Sequence, residues 1–144
     1  MLLLKSVSKT FIITGICLLL LPNMTFTQTK RKNPPKRNSN IESVDAFVDN
    51  TFELYHKVFV YDSLTQANVE IPAELEDELI QSAERDIDSL MNVLPDVIED
   101  MTNSDATFGR KAKATLNLNK AKKALKFCIK TAKVYFVGIK EDED

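Results

Sequence analysis

The sequence predicts an all-α fold, an antiparallel three-helix bundle whose second helix is kinked at a proline. Three observations predict it. In three long segments the apolar residues recur at alternating spacings of three and four, the repeat that keeps one stripe of a helix against a partner. No segment alternates apolar and polar residues with period two for long enough to form a strand. The links between the segments are short and polar, which makes successive helices antiparallel neighbours. The bundle is expected over residues 41–138, about one hundred residues, a size at which one core folds alone. An export signal over 1–27 and a disordered basic arm over 28–40 precede it, and an acidic tail over 139–144 follows.

Lys5 and Lys9 stand ahead of an apolar run from Phe11 to Leu21, followed by Pro22 and by Thr25-Phe26-Thr27. This is the layout of a cleavable export signal, and cleavage near Thr27 would leave Gln28 first. The run is shorter than the roughly 20 apolar residues of a spanning helix, so no transmembrane helix is expected in the mature chain. Export ends in a periplasm or outside the cell. Only Cys128 would remain after cleavage, so no intramolecular disulfide supports the domain. Cys128 lies on the apolar stripe of the last helix and reads as a small buried hydrophobe. Residues 28–40, QTKRKNPPKRNSN, hold Lys30, Arg31, Lys32, Lys36 and Arg37, two prolines and no large apolar side chain. Such a segment buries too little to offset its ordering entropy.

In the first helix, Ser39 or Asn40 is the expected cap before Ile41, and Glu42 and Asp45 put acid near the start. Val44, Val48, Thr51, Tyr55 and Val58 form its central stripe. Phe47, Leu54 and Tyr61 lie on one flank and Phe52 and Phe59 on the other, an arc broad enough for two neighbours. Asp62 rotates back toward the core, so the helix is expected to end near Tyr61. Pro72 suits the first position of the second helix, where its missing amide costs nothing. Leu75, Leu79, Ala83, Ile87, Leu90, Leu94, Val97 and Met101 then share one side. Pro95 interrupts the run, yet the apolar phase continues past it, which favours one kinked helix over two. The third helix is expected to begin between Ala106 and Arg110 and to be capped by Gly138. Ala114, Leu118, Ala121, Leu125, Cys128, Ala132 and Tyr135 form its stripe, and the small alanines let a partner helix come close.

Charge is divided along the chain. Residues 41–105 carry seventeen Asp and Glu against only Lys57 and Arg85, whereas residues 110–140 carry ten basic residues and no acid. Lys113, Lys120 and Lys122 lie beside the core stripe and can reach acidic neighbours. Lys123, Lys126, Lys130 and Lys133 point away from it, toward solvent or a partner. Like charges at these spacings cost a few tenths of a kcal/mol per pair, on the order of 1 kcal/mol for the row. A stability of about 5–15 kcal/mol accommodates that without any function.

Catalytic signals are scarce. There is one histidine, no tryptophan and three glycines, with no phosphate loop, nucleophile elbow, zinc set or calcium loop. Glu53 and His56 have the Glu-x-x-His spacing of di-metal bundles, but such sites need two motifs pointing inward and here one points outward. Glu74, Glu76, Asp77 and Glu78 lie in a first helical turn, where acids are favoured for electrostatic reasons alone. No metal, cofactor or small-molecule substrate is expected. The expected function is therefore an exported, non-enzymatic module that binds a protein or a second copy of itself. The alternative is a polyanion binder, for nucleic acid, anionic glycan or anionic lipid. It would use Lys123, Lys126, Lys130 and Lys133 together with Lys30, Arg31, Lys32, Lys36 and Arg37 of the arm.

Overall fold

A computed structural model describes residues 30–136. The expected export signal and cleavage point, the Gly138 cap and the acidic tail lie outside the described residues. Helices α1 (Glu42–Gln66), α2 (Ala73–Asn103) and α3 (Phe108–Phe136) pack against one another in a single compact unit, and the described residues contain no strand. None of these helices is long and apolar enough to cross a membrane.

The start of α1 is tied by a different device from the one expected. Ile41 occupies the cap position and offers no side-chain hydrogen bond. Instead the Asp45 carboxylate reaches back and accepts from the Ser39 amide and hydroxyl, both at 2.8 Å, and from the Asn40 amide at 2.9 Å. Asn40 holds φ at 60°, a left-handed conformation that asparagine tolerates. The far end of α1 also departs from expectation, running on to Gln66 rather than stopping near Tyr61. Asp62 does turn inward and is buried, but its carboxylate is satisfied. Tyr135 donates to it across from α3 at 3.0 Å, and Gln66 donates from the next turn at 2.9 Å. A buried carboxylate with two donors no longer ends a helix.

Pro72 stands immediately before α2, where its carbonyl accepts from the amides of Leu75 and Glu76. Pro95 lies inside α2, which continues through it as one helix. The last turn of α2 has no basic residue of its own, but Lys111 from α3 donates to the Thr102 carbonyl at 2.8 Å. This places a cation on the negative end of the helix.

The core is built mainly from α1 and α3. Val44, Tyr55 and Val58 of α1 and Ala114, Ala121, Ala124 and Cys128 of α3 are almost wholly enclosed. Alanine on α3 leaves room for the aromatic side chains of α1. From α2 only Ala83, Leu90 and Val97 are buried, with Ile87, Leu94, Ile98 and Met101 packed at the margin.

Candidate functional site

The segment whose composition predicts disorder lies on the bundle from Arg31 onward. The Lys32 amide donates to the Tyr55 hydroxyl at 2.8 Å, and the Lys32 ammonium sits over two rings, 5.5 Å from Tyr55 and 5.1 Å from Phe127. The Arg31 guanidinium lies 6.0 Å from the Phe59 ring and is hydrogen-bonded through Nη2 to His56 Nδ1. Farther along, Asn117 of α3 donates to the Arg37 carbonyl at 2.9 Å, and Ser39 is fully buried. The path is metrically consistent. Lys32 to Arg37 spans at most about 17 Å when extended, and the helix rises about 15 Å between Asn117 and Phe127. The segment thus runs along α3 between these contacts and lies against both α1 and α3.

Its composition misleads because the stabilising contacts are not those of a large apolar side chain. Cations over aromatic faces, aliphatic lysine and arginine stems, and backbone hydrogen bonds hold it. Pro34 and Pro35 restrict the chain before it docks, so less entropy is lost. The sequence signal for the docking site is a row spaced by seven on α3, Asn117, Ala124 and Thr131, all of them buried beside the expected stripe. Helical periodicity alone assigns Asn117 and Thr131 to a polar margin.

This docking changes the meaning of the basic residues. Lys32 is partly buried and engaged with aromatic rings, and Arg31 is tied to His56 and Phe59. Neither is a free tether. Lys30, Lys36 and Arg37 remain exposed, as do Lys123, Lys126, Lys130 and Lys133 of α3. The row on α3 divides. Lys133 shares a surface groove with Glu84 and Asp88 of α2, together with Ile87, Ile129 and Ala132. Counted at about 100° per residue, Lys120 lies about 60° from Asn117 and Lys123 about 120° from it, so the row turns away from the docked segment. Lys113, Lys120 and Lys122 flank the core, and among the described residues none of the three forms an ion pair. Ion pairs do form at Glu53–Lys57, 2.9 Å, and at Arg85–Asp86, 3.8 Å, each between neighbours on one helix. Such exposed pairs contribute at most a few tenths of a kcal/mol.

Glu53, His56, Cys128 and two of the tyrosines have structural roles. Glu53 is occupied by Lys57 and His56 by Arg31, and no cluster of metal-ligating side chains occurs among the described residues. Cys128 is enclosed, and burial pushes its thiol up to about 12, far from the range of a reactive thiolate. Near one end of the bundle, Tyr61 donates to Glu76 at 2.6 Å and Tyr135 to Asp62, with the two tyrosine rings edge to face at 5.5 Å. Burial, reinforced by the carboxylate of Glu76, pushes the Tyr61 phenol up to about 12. Burial and Asp62 raise Tyr135 in the same direction. These two pairs join α1 to α2 and α1 to α3.

No family model, curated protein or solved structure matches this chain. The geometry alone therefore carries the functional argument.

Proposed function

We propose that the chain is an exported, non-enzymatic bundle that acts by binding another protein or a second copy of itself. The antiparallel arrangement, with α2 kinked at Pro95, belongs to the same reading. It is supported by the Tyr61–Glu76 contact between the end of α1 and the start of α2, and by the Tyr135–Asp62 contact between the ends of α3 and α1. The observation that carries the binding role is apolar exposure around the turn between α1 and α2. Val60, Leu64, Val69 and Leu75 are all exposed within sixteen residues, and the Val69 amide bonds back to the Leu64 carbonyl. Apolar residues gathered at one end of a small domain suit a partner better than water. The enclosed Cys128 and the engaged His56 support a non-catalytic role.

Sedimentation of the purified chain over a range of concentrations tests this. Self-association that disappears when Leu64 and Leu75 are both changed to Ser supports the reading. A monomer at every concentration removes the self-association half of it.

The alternative of polyanion binding is favoured by one specific observation. The docked segment brings Lys36 and Arg37 onto α3, a helix that has nine basic residues and no acid between Phe108 and Phe136. Two basic stretches that are separate in sequence therefore meet, and α3 keeps Lys123, Lys126, Lys130 and Lys133 exposed on its outward face. Binding through this face should weaken steeply with salt, as counterion release requires.

A further inference from the structure

We propose that the side of the bundle formed by α2 and α3 is a two-fold interface with a second copy of this chain. The inference rests on the self-association reading and gives it a surface apart from the turn between α1 and α2. Its centre is a groove of about 290 Å³ between the two helices, where Ile87 of α2 and Ile129 and Ala132 of α3 are only partly covered. Glu84 and Asp88 border the groove on α2 and Lys133 borders it on α3, all three exposed. Counted at about 100° per residue, Lys126 and Lys133 lie about 60° and 40° from Ile129, on the side turned away from the core. By the same count Glu84 and Asp88 lie about 60° and 100° from Ile87, again away from the core. One edge of the groove is therefore acidic and the other basic. Met91, about 40° from Ile87 and 47 % exposed, lengthens the apolar strip between them.

Opposite charges side by side make this surface complementary to itself. A two-fold axis along the groove turns the acidic edge of one copy onto the basic edge of the other, on both sides at once, and closes the two apolar strips on each other. An apolar centre inside a charged rim is the anatomy of a specific interface. The area suffices as well. Two helices each about 45 Å long and about 10 Å across offer roughly 900 Å², against about 800 Å² per partner in a stable complex. A polyanion would meet Glu84 and Asp88 beside Lys133, so it fits this groove less well than the same chain does. Helix α2 gives only Ala83, Leu90 and Val97 to the core of one copy, and the second copy covers part of what that leaves open.

Sedimentation of the purified full chain at low salt should show a dimer, and raising the salt from about 0.05 M to about 0.5 M should weaken it on the order of tenfold. Charge reversal is the sharper test. Lys126→Glu with Lys133→Glu makes both edges acidic, Glu84→Lys with Asp88→Lys makes both basic, and either pair should weaken self-association by more than about tenfold. An equimolar mixture of the two variants should restore the dimer, because an acidic face then meets a basic one. Circular dichroism checks that these exposed replacements leave the helices intact. The apolar run at residues 11–21 is the same in every variant, so association through it cannot reproduce this pattern.

Association indifferent to both reversals would overturn this interface, and its loss when Leu64 and Leu75 are changed to Ser would leave self-association through the turn standing. Loss in either variant without recovery in the mixture would overturn the interface as well. A monomer at every concentration at low salt would remove both.

Discussion

The contact of α1 with α3 and the attachment of α2 are built on different terms. Helix α1 buries ten residues in its 25, whereas α2 buries three in its 31. Yet α2 has the cleaner division of apolar and polar residues in sequence. The difference shows that a well-segregated stripe measures where a helix can pack, not how much of it is covered. Helix α1 is covered by α2, by α3 and by the docked segment that begins at Arg31. Helix α2 meets its neighbours along one side, and Leu75, Met91 and Val93 stay exposed. Small residues on α3 allow close approach on one seam, and no comparable row of alanines serves α2.

The largest effect should come from the α1–α3 seam. Tyr55 is 1 % exposed, its ring meets those of Phe52, Phe59 and Phe127 at 6.0, 5.7 and 5.3 Å, and its hydroxyl receives the Lys32 amide. Tyr55→Ala should destabilise the domain by about 3–5 kcal/mol, the range for removing a large buried aromatic side chain. Urea unfolding at an unchanged slope is the measurement. A loss below about 1 kcal/mol would mean that this seam is no better packed than the α2 side. Tyr55→Phe separates the ring from the hydroxyl, because it keeps the aromatic contacts and removes only the acceptor for the docked segment.

A smaller effect should appear where both seams meet. Tyr61 and Tyr135 are held neutral in the folded state, Tyr61 with its phenol at about 12 against about 10 in the unfolded chain. The unfolded state therefore ionises first. The stabilisation from these groups is complete below pH about 10 and is lost as pH rises above it, through about 12 for Tyr61. Stability should fall over that window, and Tyr61→Phe or Tyr135→Phe should each make the fall shallower. Tyr61→Phe tests the α1–α2 tie and Tyr135→Phe the α1–α3 tie. An alkaline profile indifferent to both changes would show that neither phenol is shielded in solution.

Most of the helical architecture was legible because a repeat of three and four survives in every core element. The stripe of α3 from Ala114 to Cys128 and the central stripe of α1 are buried as periodicity requires. What periodicity misjudged were polar groups with specific partners. Asp62 looked like a helix end until Tyr135, 73 residues away, supplied a donor. The segment from Arg31 to Arg37 looked free because its contacts are cations on rings and a carbonyl on Asn117, none of which hydropathy registers. The candidate face was legible in part. The outward direction of Lys123 follows from counting around the helix, but the docking of a second basic stretch on α3 depends on a long-range hydrogen bond.

The smallest predicted effect sharpens the comparison from the other side. Leu75 belongs to the apolar stripe of α2 by spacing, so a reading from sequence assigns it a core leucine's loss of about 2–5 kcal/mol on truncation to alanine. It is 58 % exposed in the structure. Little area is returned to water by Leu75→Ala, and alanine's helix propensity slightly exceeds that of leucine, so the change should stay within about 0.5 kcal/mol. Concentration supplies a second axis. Covering the turn between α1 and α2 with another copy would make the cost of Leu75→Ala grow with protein concentration, because association stabilises the folded state by mass action. A cost near zero at low concentration that rises with concentration would locate the partner on this end of the bundle. A cost above about 1 kcal/mol at every concentration would mean instead that α2 is as well covered within the monomer as α1, and the contrast between the two seams would fail.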